Sequence, residues 1–371
     1  MAKNIPELPY TEIVERVSSL TRSADNTREK VRGVVQDVYV REIPTKFDWN
    51  FLMTGSSLTT TAQSNTGTVT ATTGSTSITF SGFTSTASLT GQKIKFTGND
   101  VVYNYTHVSA SAGTVTPAFR GTANISAGSF TIFQEAYPLS LDFDRFPKNG
   151  GFYKWQGGRK ELVREYEYRE WTDEYTPSPS TTVSRMRVYG TNTVGVPLVE
   201  LNPPPSDARI LSYDYMRRLN PMRENTAGLL LSIGASGTSV LGNPGTTKFM
   251  DSNTGDFLRV DALGIGQDSQ WYRIISITHD SSLTLATAFA NTAITSSANY
   301  TIASAPEMPH KLHYGVLYGA IRSISFDQND EAAGFYQIKF GEVMSDGKKQ
   351  YVTRDYSPDI DTLATDWMYR R

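Results

Sequence analysis

Two histidines, His310 and His313, lie three positions apart and are the first candidates for chemistry in this sequence. They follow Pro309, a residue typical of the first turn of a helix, so both imidazoles would project from one helical face toward a metal ion. A zinc site needs at least one further protein ligand. The remaining histidines, His107 and His279, lie in segments with the pattern of β-strands. Packing or surface roles are therefore favoured, and the sequence predicts no metal site.

A pair of carboxylates, Asp142 and Asp144, lies on a predicted strand, where side chains two positions apart share a face. Such a pair could perform acid–base catalysis or bind a cation. Arg145 follows directly as a counter-charge, which favours a solvated strand end. A wall or capsule hydrolase acting through these carboxylates is thus a minor alternative. The prediction is that the protein is not an enzyme and has no catalytic residue.

Segment 242–248, GNPGTTK, contains glycines and a lysine but lacks the spacing of a phosphate-binding loop. Pro244 also removes a backbone N–H that could bind phosphate. The segment is predicted to be a turn, and no cofactor is expected.

Composition excludes several classes of function. The chain of 371 residues has no cysteine, which excludes disulfides and thiolate chemistry and fits folding in a reducing cytoplasm. Its formal net charge of -2 gives no indication of binding to the DNA backbone, which needs clustered Lys and Arg. No segment has the pattern of a signal peptide or a membrane span, so no membrane association is expected.

A near-duplicate stretch of sequence occurs twice in the chain. Residues 117–123, PAFRGTA, match residues 287–293, TAFANTA, and residues 90–96, TGQKIKF, match residues 254–260, TGDFLRV. Around each copy the chain is rich in Thr, Ser and Gly, with short alternating runs typical of strands. The repeat predicts two related all-β modules, each with the pattern of a small sandwich or barrel.

Helical patterns lie at the two ends of the chain. Tyr10, Ile13, Val14 and Val17 form one apolar stripe, and four valines between positions 31 and 38 form another, with an N-cap at Asp25 or Asn26 and an end at Pro44. A helix after Pro309 carries Gly315 and Gly319, whose spacing predicts a close approach of another backbone. A last helix, predicted over 330–344, carries the apolar residues Phe335, Ile338 and Val343 and ends at Gly347.

These patterns predict an α+β fold with a discontinuous helical core and a β meander. The core comprises residues 1–55, 134–225 and 305–371, interrupted by β-domains at 56–133 and 226–304. The charged run that begins at residue 161 is either a helix or an exposed strand. Residues 347–371 are predicted to be an extended tail, too poor in core residues to fold alone.

The frame resembles the head-to-tail adaptor proteins of bacteriophages, the group that includes the tail accessory factor of short-tailed phages. The resemblance rests on the order of several blocks that cover a little over half of the chain. They are 8–17 (LPYTEIVERV), the valine helix, 48–52 (DWNFL), 137–146 (YPLSLDFDRF), 197–205 (PLVELNPPP), 213–215 (YDY) and 309–320 (PHKLHYGVLYGA) with the helix that follows. The two β-modules look like the immunoglobulin-like insertions of phage virion proteins.

The resemblance implies a virion protein of the neck, assembled in the host cytoplasm as a homo-oligomeric, dodecameric ring beneath the portal protein. The ring would extend the channel through which double-stranded DNA passes without specific binding during genome ejection. It would also offer a platform to a downstream tail or stopper protein. A basic channel would retain DNA, so an acidic or neutral one is expected.

Candidate residues follow from this interpretation. Portal docking is assigned to the tail aromatics Tyr351, Tyr356, Trp367 and Tyr369, and deletion of 350–371 is expected to abolish docking. The channel-facing candidates are Asp327, Asp330 and Glu331. The candidates for contacts between subunits are Arg164, Tyr166, Tyr168, Trp171 and Arg187, because Tyr and Arg are enriched at interfaces.

An alternative from another class is a tail or fibre component that binds host glycan through its β-modules. Aromatic side chains can stack on sugar rings. The candidates for this role are Trp271 and Tyr272 in one module and Tyr103 and Tyr105 in the other.

Overall fold

A computed structural model describes residues 7–21, 27–147, 150–156, 159–165, 178–260, 270–290, 293–295, 298–328 and 330–352, without the side chains of 154–156, 159–161 and 164. The fold is α+β, as predicted: helices lie near both ends of the described chain, and mainly antiparallel sheets lie between them. Contacts divide the chain into two compact units, Met1–Leu52 with Arg218–Arg371, and Met53–Arg217. This division differs from the predicted boundaries, since the meander shares a unit with the first β-module.

The helices are α1 (Tyr10–Thr21), α2 (Arg28–Asp37), a π-helix (Val38–Glu42), α3 (Ile43–Lys46), α4 (His310–Asp327) and α5 (Ala333–Tyr351). The strands of the unit Met53–Arg217 are β1 (Met53–Thr59), β2 (Thr68–Ala71), β3 (Ser77–Ser81), β4 (Lys93–Phe96), β5 (Val102–Ser109), β6 (Ala112–Thr116), β7 (Ile125–Gly128), β8 (Phe130–Phe133), β9 (Ala136–Pro138), β10 (Phe143–Arg145), β11 (Phe152–Gln156), β12 (Arg159–Glu165), β13 (Arg185–Thr191), β14 (Pro197–Asn202) and β15 (Ile210–Arg217). The strands of the other unit are β16 (Glu224–Asn225), β17 (Leu230–Ile233), β18 (Ser239–Gly242), β19 (Phe257–Val260), β20 (Tyr272–His279), β21 (Ser282–Leu285) and β22 (Tyr300–Ala303).

Helices from the two ends of the sequence pack into one frame. Helices α1 and α2 both contact α4, and α4 packs along α5. The predicted stripe of α1 is confirmed, because Ile13 and Val17 are fully buried. On α2, Val31 and Val35 are fully buried, and each contributes roughly 1.5–3 kcal/mol by leaving water. Burial of these residues stabilises the helix, although valine has a low intrinsic helix propensity.

Both predicted ends of the valine helix were wrong. The N-cap is Thr27, whose side-chain oxygen accepts a hydrogen bond from the backbone N–H of Lys30 over 3.2 Å. Pro44 does not end the helical path but lies at the first turn of α3, where its missing N–H is tolerated. The π-helix before it resets the hydrogen-bond register, and the chain becomes extended only at Phe47.

At Gly315 and Gly319, where another backbone was predicted to approach, α4 is closely packed by side chains of neighbouring helices. A Cβ at Gly319 would lie 2.7 Å from Val38 Cγ1, and one at Gly315 would lie 2.5 Å from Met344 Cε. Gly347 was predicted to break the last helix, and this was wrong. A Cβ there would lie 2.7 Å from Leu312 Cδ2, so Gly347 is needed for packing inside α5, which continues to Tyr351.

The two β-modules share the order of six of their seven strands. The first runs β7-β2-β3-β6-β5-β4-β8, and the second runs β17-β18-β21-β20-β19-β22-β16. If β2 is matched to β17 and β8 to β22, the strands between them follow in the same order. In the second module, β-bridges from Ile294 and Ala298 to β17 take the position that β7 has in the first. Each module forms one continuous path of seven strands around its own apolar core.

Equivalent residues also make equivalent contacts. Ile94 on β4 pairs with Tyr103 and Ile132, as Leu258 on β19 pairs with Tyr272 and Ile302. The hydroxyl of Tyr103 accepts a hydrogen bond from the backbone N–H of Arg120 over 3.0 Å. The hydroxyl of Tyr272 accepts one from Ala290 N–H, also over 3.0 Å. The repeat in sequence is therefore a repeat in structure.

The meander of residues 134–217, together with β1, forms an eight-stranded sheet. Its order is β1-β15-β11-β12-β13-β14-β9, and β10 also pairs with β15. All its pairs are antiparallel except β12 with β13. Its core is aromatic: the rings of Phe152 and Tyr213 lie 4.9 Å apart, as do those of Phe143 and Phe146. The charged run from residue 161 begins as strand β12, not as a helix.

Candidate functional site

The two carboxylates of the predicted pair, Asp142 and Asp144, contact different residues. Asp142 lies in a turn, and its Oδ1 accepts a hydrogen bond from the hydroxyl of Tyr215 over 2.6 Å. Asp144 instead pairs with its neighbour Arg145 over 2.8 Å. Burial, followed by the hydrogen bond to Asp142, raises the pKa of Tyr215. The two carboxylates therefore have separate structural partners.

His313 has a structural role. It is 2% exposed, its Nδ1 accepts a hydrogen bond from the backbone N–H of Leu8 over 3.1 Å, and its Nε2 lies 3.0 Å from the carbonyl oxygen of Met308. These contacts fix a neutral tautomer with the proton on Nε2. Burial lowers the pKa of His313. Both ring nitrogens thus have hydrogen-bond partners. No group of three metal-ligating side chains occurs in the described part of the chain.

The aromatic residues considered for glycan binding are not open platforms. Tyr103, Tyr105 and Tyr272 are fully buried in the module cores. Trp271 is held inside its own unit, because the guanidinium of Arg259 lies 4.7 Å from its ring centroid and its Nε1–H donates to Glu12 over 3.4 Å. These four residues therefore give no support to a sugar site.

The turn predicted at 242–248 is present. Gly245 has a φ of 86°, and the N–H of Thr246 donates to the carbonyl oxygen of Asn243 over 3.2 Å. Thr247 is buried, and its hydroxyl donates to the same carbonyl. The segment thus satisfies its own polar groups and does not form a phosphate cradle.

A polar cavity of about 390 Å³ lies in the unit that contains the helices. Its lining includes Arg223, Arg273, Asp256 and Glu307. Asp256 Oδ2 accepts a hydrogen bond from the backbone N–H of Asn253 over 2.7 Å, and burial raises the pKa of this carboxyl group. The lining carries charges of both signs.

The three channel candidates lie on either side of the connection between α4 and α5. Asp327 ends α4, while Asp330 and Glu331 precede α5, and all three side chains are exposed. Asp330 Oδ1 accepts a hydrogen bond from the N–H of Ala332 over 2.9 Å, which fixes the start of α5. Carboxylates before a helix N-terminus are stabilised by the helix dipole, whereas Asp327 at a C-terminus is not. Packing does not explain the acid at position 327.

The segment predicted to be an extended tail overlaps the end of α5. Residues 347–351 belong to α5, and Tyr351 is its half-buried last residue. Val352 is extended and forms a β-bridge with Trp49. The other docking candidates, Tyr356, Trp367 and Tyr369, lie outside the described residues.

The intersubunit candidates are described only in part. Tyr166, Tyr168 and Trp171 lie outside the described residues, and of Arg164 only the backbone is described, in β12. Arg187 Nε donates to Glu200 Oε2 over 2.5 Å, and its guanidinium lies 5.1 Å from the ring centroid of Tyr189. Its charge is thus already paired within the subunit.

Helix α5 carries an exposed apolar surface that its sequence pattern does not reveal. Phe335 is 56% exposed and Ile338 is 63% exposed, although both were expected among the apolar residues of this helix. The buried face instead carries Ala333, Phe340, Met344 and Gly347. In the sequence, the exposure of Phe335 and Ile338 is indicated only by the glycines and charged residues that share their face of the helix.

Comparisons with known protein families, with curated proteins and with solved structures found no match to this chain. None of the helices in the described ranges combines the length and the apolar character that crossing a bilayer requires.

Proposed function

We propose that the chain is the subunit of a bacteriophage head-to-tail adaptor ring. The proposal rests on one observation: segments that are distant in sequence pack together into one helical frame. Leu8 is bonded to His313, and Trp49 is bridged to Val352. Arg322 on α4 also donates to Glu42 of the π-helix over 2.6 Å. A frame that joins residues 8–49 to residues 313–352 suits a subunit that carries inserted modules between these segments.

The β-modules support a structural role. They repeat the order of six strands with equivalent hydrogen bonds, and repetition adds surface without adding chemistry. We assign them as immunoglobulin-like insertions that face outward or toward the next tail component. Three described candidates for catalysis or metal binding are Asp142, Asp144 and His313. Their side chains form hydrogen bonds or ion pairs within the fold. This pattern supports a non-enzymatic function.

The proposed assembly is a homo-oligomeric, dodecameric ring in the neck of the virion, assembled in the host cytoplasm. It binds the portal protein on one side and a tail or stopper protein on the other. Double-stranded DNA passes through it without specific binding. Asp327, Asp330 and Glu331 form the candidate channel surface, because exposed carboxylates repel phosphate.

The test is co-sedimentation of the purified full-length chain with the purified portal protein of the same phage. The proposal expects a stable complex with several copies of the chain on each portal. Absence of any complex across a range of salt concentrations would overturn it.

A further inference from the structure

We infer that the exposed face of α5 is bound by a second copy of this chain, in a groove between α2 and α4. The outer ridge is formed by Phe335, Ile338, Lys339 and Glu342. The groove is lined by Val34, Asp37, Val38, Arg41, Glu42, Thr45 and Ser323. The inference deepens the proposed ring and rests on it, because a ring needs two different surfaces on each subunit.

The ridge has features that its own subunit does not explain. Phe335 and Ile338 are more than half exposed. Gly334 and Gly341 lie on the same helix, and a Cβ at either position would meet no atom within 4 Å. Each exposed glycine costs a helix up to about 1 kcal/mol relative to alanine. Gly347, in contrast, is required by its contacts with Leu312 and Trp49. The outer glycines therefore fit a close contact with another molecule.

The groove has the size and lining to receive such a ridge. It is a depression of about 510 Å³ along α2, the π-helix and α3, with Ser323 of α4 on its other side. Val34 is half-buried and Thr45 is exposed, so apolar and methyl groups border the opening. An isoleucine or phenylalanine side chain entering this groove would remove apolar surface of both molecules from water.

The charges on the ridge and at the groove favour a second copy of this chain as the partner, with the two helices running in the same direction. On the ridge, Lys339 precedes Glu342 and pairs with it over 2.9 Å. Beside the groove, Asp37 precedes Arg41 and pairs with it over 3.3 Å. With the two helices aligned in the same direction, Lys339 meets Asp37 while Glu342 meets Arg41. The opposite direction would place like charges together, which disfavours it. Ridge and groove of the same sequence thus complement each other.

The experiment uses two charge-swapped forms of the full-length chain. The ridge variant combines Lys339→Glu with Glu342→Lys, and the groove variant combines Asp37→Lys with Arg41→Glu. Each swap keeps opposite charges at the two positions of its pair, so thermal unfolding should change little. The ridge swap also removes the contact of the Lys339 ammonium with the Phe335 ring, whose centroid lies 5.8 Å away. Each variant alone should self-associate about tenfold more weakly or worse in sedimentation velocity, because like charges then meet across the contact.

Mixing the two variants should restore assembly. The swapped ridge of one copy then meets the swapped groove of the other, and the two natural surfaces meet at the next contact. Ile338→Ser is an independent variant that removes apolar contact without changing charge, and it should also weaken association. It keeps the inference testable if a swapped chain fails to fold.

Association unaffected by the swaps, or a mixture that fails to assemble, would overturn the inference. A wild-type chain that sediments as a monomer at its highest soluble concentration would overturn it as well. The proposed function is judged separately by binding to the portal, so the two can fail independently.

Discussion

The backbone N–H of Leu8 donates a hydrogen bond to Nδ1 of His313, which lies 305 positions later in the chain. The bond joins the segment before α1 to the first turn of α4. Because Nδ1 must be unprotonated to accept it, the closure of the helical frame is linked to the charge of one imidazole.

Stability should therefore fall when His313 becomes protonated. Its folded pKa is lowered by burial and by His310, while the carbonyl of Met308 and the carboxylate of Glu7 act in the opposite direction. Above about pH 6.5 the imidazole is neutral in both the folded and the unfolded states. Between that pH and the lower folded pKa, only the unfolded chain binds the proton, so the free energy of unfolding decreases as pH falls.

Urea unfolding across this pH window measures the effect. The wild type should lose stability with a slope of up to about 1.4 kcal/mol per pH unit from this group. His313→Gln should be less stable at neutral pH and should lose this component of the slope. His310→Gln, at an exposed position of the same helix, should keep it. An identical slope in His313→Gln would contradict the assignment.

The close packing of α4 can be tested at Gly319. Gly319→Ala would place its methyl group 2.7 Å from Val38 Cγ1 and 3.1 Å from Phe340 Cε2. The expected loss is about 1–3 kcal/mol in the free energy of unfolding. Gly33→Ala on α2 is the matched control, because a Cβ there meets nothing within 4 Å and should stabilise by about 0.5–1 kcal/mol. Equal effects at both sites would exclude a packing role for Gly319.

Local periodicity explains what the sequence could predict. The spacing of Ile13 and Val17 on α1 requires only that one face of a helix be buried. The repeated motifs predicted two equivalent modules because Phe119 and Phe289 occupy the same core position in each. These features depend on neighbours within a short segment, so a single chain reveals them.

Features that depend on distant partners were missed. Gly347 resembled a helix breaker because nothing near it in sequence shows that Leu312 and Trp49 press against it. Trp271 and Tyr272 are adjacent, yet one is held by Arg259 and the other is buried in the module core. The sequence also could not show which face of α5 is buried, so Phe335 and Ile338 were not recognised as exposed.

The acidic residues beside the connection between α4 and α5 should influence the passage of DNA. Glu331→Lys would place a ring of cations at the proposed channel surface, and each contact with phosphate adds affinity that salt weakens. Genome release from assembled particles should become slower at low salt and recover at high salt. Asp251→Lys, an exposed acid in the second β-module, should have no effect. Normal release from the Glu331→Lys particle at low salt would remove these residues from the channel.

The tail prediction now has a corrected boundary. Deletion of residues 353–371 should leave a soluble chain of unchanged thermal stability that no longer binds the portal. Deletion from residue 350 should also lower stability, because it removes Gln350, which accepts a hydrogen bond from Lys311, and the bridge of Val352 to Trp49. Binding assays and thermal unfolding of both forms separate docking from folding. Full portal binding without 353–371 would refute the docking role of the tail.

Electron microscopy of the purified chain, alone and mixed with its portal, tests most directly whether copies of this subunit join into a ring. We predict a closed ring seated coaxially on the portal, with the helical frame at the contact. Single, unassembled subunits in both samples would contradict it.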